Sequence, residues 1–274
     1  MTAIQEIEWV GISGGIAALR EEMELCSSTD AKVLITADSG VDRSLIARTI
    51  HDRSARSRRP FTRVNCADAP DSVLEARLFG QIAGCYSAAR SRPGAIELAD
   101  GGTIFLNDIG DLPPRLQALL LGYIETGDVR RVGSLDARPI NARIITATSR
   151  TLSDRVRSGW FREDLFYRLN LIHIVVPPLA ERREDVPVIV EYLLDKLSTT
   201  IARRPPAISP RAMAMLRGYP WPGNVRELRT VLEKLAAATD GEVAEVDDLP
   251  ARIRLWQPGS APVAASRSLH GTRR

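Results

Sequence analysis

Short apolar runs alternate with longer amphipathic stretches up to about residue 177. Runs such as VLIT and IFL are apolar on both faces, which is typical of strands in a parallel sheet that is covered by helices on both sides. The strand candidates are KVLITA at 32–37, FTRVN at 61–65, TIFLN at 103–107, RIITAT at 143–148 and LIHIVV at 171–176. Helical patterns at 43–53, 70–79 and 113–125 separate them, so we predict an α/β fold.

The pattern changes after the Pro177-Pro178 pair. No strand pattern follows, and helices are predicted at 184–198, 209–217 and 223–239, separated by proline- and glycine-containing breakers. From Gln257 the composition turns to Pro, Gly, Ser, Ala and Arg, which bury little apolar surface. We therefore predict an α/β domain over 1–177, a helical domain over 178–255 and a disordered tail over 256–274.

Composition excludes several classes of protein. The 274 residues are 44% hydrophobic and 26% charged, which argues against a disordered or a membrane protein. No apolar run approaches the roughly 18 residues of a membrane span, and the first residues do not have the pattern of a signal peptide. We expect a cytoplasmic protein without membrane contact. The three cysteines are scattered and lack CxxC spacing, so neither a disulfide scaffold nor a zinc site is expected.

The net charge of +3 is too small to indicate a nucleic-acid-binding protein. The basic stretch at 53–63 lacks interleaved aromatic residues and is typical of a solvated face, so we expect no direct DNA binding by this chain. All but three of the 37 basic residues are arginine. A single arginine at a position where lysine is usual is therefore weak evidence of changed function.

The first strand is followed by TADSGVDRS at 36–44, which opens a helix. A phosphate-binding loop in this place reads GxxxxGK[ST], where glycines let backbone N–H groups surround the phosphates and lysine neutralises their charge. Here Ala37 and Asp42 replace the glycines, and Arg43 replaces the lysine. Taken alone, this pattern also fits an ordinary strand-turn-helix.

Longer segments at 95–134, 161–187 and 219–233 carry a specific resemblance. With AIELADGGTIFLNDIGDLPPR, FREDLFYRLN and YPWPGNVREL, the chain resembles the central AAA+ domain of the sigma-54-dependent transcription activators, from about Val10 to Pro250. The resemblance implies an AAA+ P-loop-type parallel sheet with a small helical lid. It also implies a ring-forming ATPase that contacts sigma-54 RNA polymerase and opens the promoter complex.

The resemblance assigns a nucleotide-binding set, with Ser44 and Asp108 as the metal-binding residues. A carboxylate at position 42, about 4 Å from a phosphate charge, would cost about 4 kcal/mol at an effective dielectric constant near 20. A glycine in this place also accommodates a positive φ. The nucleotide-binding residues implied are Ala37, Asp38, Ser39, Gly40, Val41, Asp42, Arg43, Ser44 and the lid residue Arg226.

The catalytic positions are altered as well. Members of the family carry Asp-Glu where this chain has Asn107-Asp108. Asn107 brings no charge to a metal, Asp108 is one methylene shorter than the usual base, and adjacent strand residues are expected to face opposite ways. The resemblance assigns Asn65 a hydrogen bond to Asp108. The alternative interpretation is a polar strand end that forms a turn. Ser149 stands where a sensor asparagine is usual.

Two further sets follow from the resemblance. Arg162 and Arg168 match arginines that reach a neighbouring subunit's γ-phosphate, the alternative being surface salt bridges. Ala88 replaces a glycine in the loop that contacts the sigma factor, which would strain a backbone with positive φ, and a solvated loop without a partner is the alternative. That loop comprises Gly84, Cys85, Tyr86, Ser87, Ala88 and Ala89.

Three functions remain open from the sequence. The first is a transcription regulator that binds ATP or ADP, with or without Mg²⁺, hydrolyses it poorly and assembles into a ring with itself or with related activator subunits. The second is an active ATPase that remodels sigma-54 RNA polymerase, against which Ala37, Asp42, Asn107 and Ser149 weigh. The third is a structural subunit that binds no nucleotide. No receiver domain precedes Gly11 and no helix-turn-helix follows Pro250, so we expect either an excised domain or targeting by partners.

Overall fold

The computed structural model describes residues 10–84, 91–149, 152–199, 205–238 and 242–257. It divides into two compact units. The first, called here the α/β unit, runs from Ser13 to Pro178; the second, the helical unit, comprises, among the described residues, 10–12 and those from Leu179 onward. The sequence did not predict that residues 10–12 group with the helical unit.

The α/β unit contains a five-stranded parallel sheet in the order β2-β5-β8-β1-β9. These five strands confirm the predicted set. Short antiparallel pairs, β3 with β4 and β6 with β7, were not predicted because two or three residues are too few to form a pattern. The strands are β1 Val33–Thr36, β2 Phe61–Asn65, β3 Gly80–Gln81, β4 Arg92–Pro93, β5 Thr103–Asn107, β6 Asp128–Arg130, β7 Ala137–Pro139, β8 Arg143–Thr148 and β9 Ile172–Val175.

Helices of the α/β unit supply the cover that the apolar strands require. All six residues of β8 are buried, as expected for a central strand with neighbours on both sides. The side chains of Leu34, Ile104, Leu106 and Ile144 join one apolar core with residues of the helices. The helices are α1 Gly14–Ser27, α2 Arg43–Asp52, α3 Asp71–Phe79, α4 Ala95–Leu98, α5 Pro114–Thr126, α6 Leu152–Arg157 and α7 Glu163–Leu169.

The helical unit has its own core, centred on the fully buried Trp221. Trp256 packs against this core with its ring centroid 6.2 Å from that of Tyr219, so the predicted disordered tail starts too early. A two-residue parallel pair also corrects the prediction that this region lacks strands. The elements are α8 Val186–Ser198, β10 Ala207–Ile208, α9 Pro210–Gly218, α10 Asn224–Ala238, β11 Val243–Ala244 and α11 Ala251–Arg254.

None of the helices that the structure describes combines the length and the apolar character that a bilayer span requires.

Candidate functional site

The loop between β1 and α2 forms the centre of the candidate site. Strand β1 lies inside the sheet, so its carboxyl end and the start of α2 are held by buried residues. Gly40 has a φ of +88°, which glycine adopts without strain, and its backbone turns the chain toward α2. Ala37 and Val41 are buried, whereas Asp38 and Ser39 are exposed at the tip. The loop thus has the shape of a turn with exposed polar residues.

Asp42 caps the helix α2. Its carboxylate accepts a hydrogen bond from the Leu45 backbone N–H at 3.2 Å, and its φ is −83°. The positive φ that we considered for this position does not occur, because Asp42 caps the helix with a negative φ. The carboxylate therefore accepts a hydrogen bond from one of the backbone N–H groups at the helix N-terminus, which commonly bind anions.

Arg43 and Asp108 form an ion pair across the sheet. Arg43 Nη2 lies 2.8 Å from Asp108 Oδ1, and both side chains are mostly buried, with 13% and 17% exposed. The second terminal nitrogen, Arg43 Nη1, is buried and has no hydrogen-bond partner within the described protein. A buried guanidinium N–H without a partner is costly, and an anion arriving at this position would satisfy it.

Asn107 and Asp108 are brought together by a left-handed turn. Asp108 has φ 53° and ψ 43°, so the strand alternation that we expected ends at Asn107. The Asn107 amide donates to Asp108 Oδ2 at 2.7 Å, and both carboxylate oxygens of Asp108 thus accept hydrogen bonds from protein donors. The buried Asn107 Oδ1 lacks a partner among the described residues. The prediction that the two side chains face opposite ways is therefore wrong.

Arg63 is a site residue that the sequence did not reveal. It lies on the edge strand β2, and its Nη1 is 3.5 Å from the Ser44 hydroxyl in the first turn of α2. The exposed Arg63 forms no ion pair with any residue that the structure describes. Nineteen residues separate it from Ser44, so only the tertiary fold places them together.

Asn65 does not make the hydrogen bond to Asp108 that the resemblance implied. Its amide donates to Asp68 Oδ1 at 2.6 Å, and its side-chain oxygen accepts from the Ala67 N–H at 3.3 Å. Asn65 is directly opposite Asn107 in the register of β2 and β5. The Asp108 carboxylate is instead directed to Arg43 and Asn107, which explains the difference.

The Cys66 thiol lies beside these groups but is chemically inert. Burial raises its pKa to about 12, with further contributions from the charges of Asp108, Asp111 and Asp68. The thiolate is the reactive form of cysteine, so this side chain stays protonated at neutral pH. We assign it a packing role.

The two arginines of the FREDLFYRLN segment lie at opposite ends of α7. Arg162 is bound by both oxygens of Asp164, at 3.0 and 2.7 Å, and Arg168 lies 3.7 Å from Glu125. The side chains are 46% and 61% exposed, which leaves both accessible from outside the unit. Phe161, Leu165 and Leu169 are buried, so packing explains the apolar positions of the segment but not the arginines.

The expected sigma-factor loop begins at Gly84, which has a φ of +90°. The remaining positions, Cys85 to Ala89, lie outside the described residues. The base of the loop is held by the antiparallel pair of β3 and β4 and by Arg131, which donates to both oxygens of Glu97 at 2.8 Å and to the Ser91 hydroxyl at 3.2 Å. These bonds lower the pKa of Glu97 below its usual value of 4.5.

Two further predicted positions lie on other elements. Arg226 lies exposed on α10 of the helical unit, next to the buried Val225. Ser149 directly follows β8 and is partly exposed. No group of three or more histidine, cysteine or carboxylate side chains is arranged to hold a metal in the part of the chain that the structure describes.

Comparison with known proteins gives matches along nearly the whole chain. The Sigma-54 interaction domain family matches residues 9–175, and the AAA+ ATPase lid domain family matches residues 180–266. Regulatory protein AtoC of Escherichia coli (strain K12) is 42% identical over 239 residues, which are 85% of this chain and 52% of that protein. Transcriptional regulatory protein ZraR of Klebsiella oxytoca is 40% identical over 262 residues, 95% of this chain and 59% of the relative. The chain thus spans just over half the length of these relatives.

Solved structures agree with this result. The crystal structure of NtrX from Brucella abortus in complex with ADP superposes with a TM-score of 0.82 at 35% identity, over 89% of this chain and 55% of that one. The same protein in complex with ATP gives a TM-score of 0.81 at 35% identity, over 89% and 56% of the two chains.

Proposed function

Because the chain belongs to the sigma-54 interaction family of AAA+ domains, we propose that it is a transcription regulator that binds ATP or ADP but hydrolyses ATP poorly. It acts in the cytoplasm through ring assembly with itself or with related activator subunits. The observation that carries this proposal is the Arg43–Asp108 ion pair, which engages the position of the catalytic base.

Nucleotide binding is supported by the related NtrX chain, whose structures contain ADP and ATP. In this chain, Gly40 supplies the turn and the buried Arg43 Nη1 is an N–H donor that a phosphate oxygen would satisfy. Asp42 opposes binding because its negative charge repels the phosphates and because its carboxylate already accepts a hydrogen bond from the Leu45 N–H. We infer binding that is weaker than a loop with glycine at position 42 would provide. Exposed Arg226 is proposed to contact the chain's own nucleotide from the lid.

Poor hydrolysis follows from the state of the general base. A base must be free to accept a proton from the attacking water. Both oxygens of Asp108 already accept hydrogen bonds, from Arg43 and from Asn107, and Asn65 is engaged elsewhere. The site can therefore hold nucleotide without positioning water for attack.

Of the groups that the family implies, Mg²⁺ is the one that the residues of this site are least suited to bind. Mg²⁺ prefers charged oxygen ligands. Ser44 and Asp108 are the expected ligands, but Arg43 neutralises Asp108, Arg63 approaches Ser44, and Asn107 is uncharged. We therefore propose that nucleotide binding depends only weakly on Mg²⁺.

Ring assembly and contact with sigma-54 RNA polymerase rest on separate features. The accessible Arg162 and Arg168 are proposed to serve a neighbouring subunit, and the loop from Gly84 to Ala89 to approach the sigma factor. Cys85 and Ala88 depart from the family's residues there, so we propose that this contact is weak.

Calorimetric titration of the full chain with ATP and with ADP, combined with a steady-state ATPase assay, tests the proposal. We expect saturable binding of both nucleotides and turnover near background. Robust Mg²⁺-dependent turnover would identify an active ATPase, and the absence of binding to either nucleotide would identify a structural subunit.

A further inference from the structure

We propose that Arg63 and Arg43 together supply the positive charge that a divalent cation would otherwise bring to the nucleotide phosphates, so that this chain binds ATP and ADP without metal. This inference rests on the proposed nucleotide binding. It assigns Arg63 a role in phosphate binding that its position on strand β2 alone does not suggest.

Each of the two residues expected to bind metal is approached by a guanidinium group. Asp108 is paired with Arg43 at 2.8 Å, and the Ser44 hydroxyl lies 3.5 Å from Arg63 Nη1. These two residues come from different elements, since Ser44 lies in α2 and Asp108 follows β5. The two arginines thus converge on the place where a cation would be held.

Both arginines retain donors for an anion. Arg43 Nη1 is buried without a partner, and the long Arg63–Ser44 contact leaves most of the N–H groups of Arg63 available. A guanidinium has five N–H donors, stays charged at all relevant pH values, and binds phosphate oxygens in pairs. Arg63 brings a full positive charge, and Arg43, whose charge is balanced by Asp108, brings the N–H donor that has no partner.

The balance of charge favours this assignment over a metal. With Asp108 neutralised by Arg43, a cation would meet only the hydroxyl of Ser44 and the uncharged Asn107. It would also be repelled by Arg63. A polyphosphate is attracted by Arg63 and can accept a hydrogen bond from Arg43 Nη1, and it is repelled by the loop carboxylates Asp38 and Asp42.

The test is calorimetric titration of the full chain with ATP, once in Mg²⁺ and once in EDTA, for the unaltered protein and for three variants. The unaltered chain is expected to bind with affinities that differ by less than about threefold between the two conditions. Arg63→Gln is expected to weaken binding in EDTA by about tenfold, while Arg63→Lys retains most of the affinity because it keeps the charge. The variant Arg63→Gln should also depend more strongly on Mg²⁺ than the unaltered chain, since a cation then replaces the lost charge.

Arg58→Gln is the matched control, because Arg58 is an exposed arginine of the same basic stretch for which the described structure records no ion pair. It should leave the affinity unchanged, and thermal melting of all variants verifies that they are folded. Equal affinities for Arg63→Gln and Arg58→Gln would overturn the inference while leaving the proposed function intact. Binding that requires Mg²⁺ in the unaltered chain would overturn the inference and the proposed weak dependence on Mg²⁺, but not the proposed nucleotide binding. Failure to bind ATP and ADP in both conditions would overturn the proposed function itself.

Discussion

Arg43 Nη2 lies 2.8 Å from Asp108 Oδ1, so the residue in the place of the phosphate-binding lysine is paired with the residue in the place of the catalytic base. The Asn107 amide donates a hydrogen bond to the other carboxylate oxygen of Asp108 at 2.7 Å. Under the proposed function, binding of nucleotide and activation of water draw on the same two side chains. The ion pair would then favour binding over turnover.

Replacing Asp108 by asparagine separates the two roles of the pair. Asp108→Asn leaves the largely buried Arg43 without its counter-charge, so the free energy of unfolding should fall by about 1–3 kcal/mol. The same change frees Arg43 for phosphate, so the affinity for ATP should rise several-fold. Urea denaturation and calorimetry measure the two effects. As a control, Asp52→Asn breaks the more exposed pair with Arg48 and should change stability by less than about 0.5 kcal/mol. Unchanged stability and affinity in Asp108→Asn would contradict the prediction.

Restoring the family's residues should restore hydrolysis only in combination. Asp42→Gly removes the carboxylate from the Leu45 N–H and should raise ATP affinity at a cost of a few tenths of a kcal/mol, since glycine also caps helices. We expect the triple variant Asp42→Gly, Asn107→Asp and Asp108→Glu to raise the steady-state turnover with Mg²⁺ more than any single change, because the groups act as a unit. Equal turnover in a single and the triple variant would show that one residue alone limits the reaction.

The arginines at the ends of α7 are predicted to act on a neighbour. Mixing this chain with a related activator that lacks its own arginine fingers should rescue ATPase activity, because an arginine finger contributes about 10³–10⁵-fold to the rate. Rescue should disappear with Arg162→Ala or Arg168→Ala. It should persist with Arg157→Ala, an arginine with 76% exposure that pairs with Asp154 on α6. If native mass spectrometry shows co-assembly but the ATPase activity is not rescued, the proposal that Arg162 and Arg168 act in the neighbour's site is wrong.

The altered loop is predicted to bind sigma-54 weakly. A variant with Cys85→Ala, Tyr86→Phe, Ser87→Thr and Ala88→Gly restores the family's loop and should bind sigma-54 in the presence of a transition-state analogue. Glycine at position 88 would remove the strain that alanine introduces wherever φ is positive. A pull-down with purified sigma-54 compares the two chains. Tight complex formation by the unaltered chain would show that the substitutions are tolerated.

The base of that loop should be sensitive to acid. The Arg131 guanidinium lowers the pKa of Glu97 in the folded state, so this carboxylate adds stability above its unfolded value of 4.5, and this stability is lost as the pH falls through the lower folded value. Glu97→Gln should therefore lower the free energy of unfolding at pH 7 by about 1–3 kcal/mol. The difference in the free energy of unfolding between the unaltered chain and Glu97→Gln should become smaller below pH 4.5, as measured by urea denaturation at several pH values. A difference that does not change with pH would rule out the ionic contribution.

The sheet could be predicted because strands such as β1 and β5 carry apolar residues on both faces, as a parallel sheet covered by helices requires. Helix α1 had a comparable signal in Ile16, Leu19, Met23 and Cys26, which are buried on one face, but the prediction did not use it. The short hairpins carried no such signal. Local periodicity therefore carries a signal for elements that bury continuous surface, and it carries none for elements held by a few backbone hydrogen bonds.

The site was predicted only in part for a different reason. The residues of the loop at 37–44 are contiguous, so the order of the amino acids was sufficient to predict this loop. The contacts of Arg63 with Ser44 and of Arg43 with Asp108 join strands and helices that are distant in sequence. The left-handed backbone of Asp108 likewise results from the packed turn after β5, and strand alternation could not predict it.

Strand β2 pairs with one neighbour, β5, whereas β1 and β8 each pair with two. Opening β2 breaks a single ladder of hydrogen bonds, so local opening should cost less free energy there than in β1 or β8. Its backbone amides should exchange with deuterated solvent earlier than those of β1 and β8. Because Arg63 lies on this strand, a ligand bound by Arg63 would stabilise one of the two edges of the sheet, and slower exchange along β2 would report occupancy of the site.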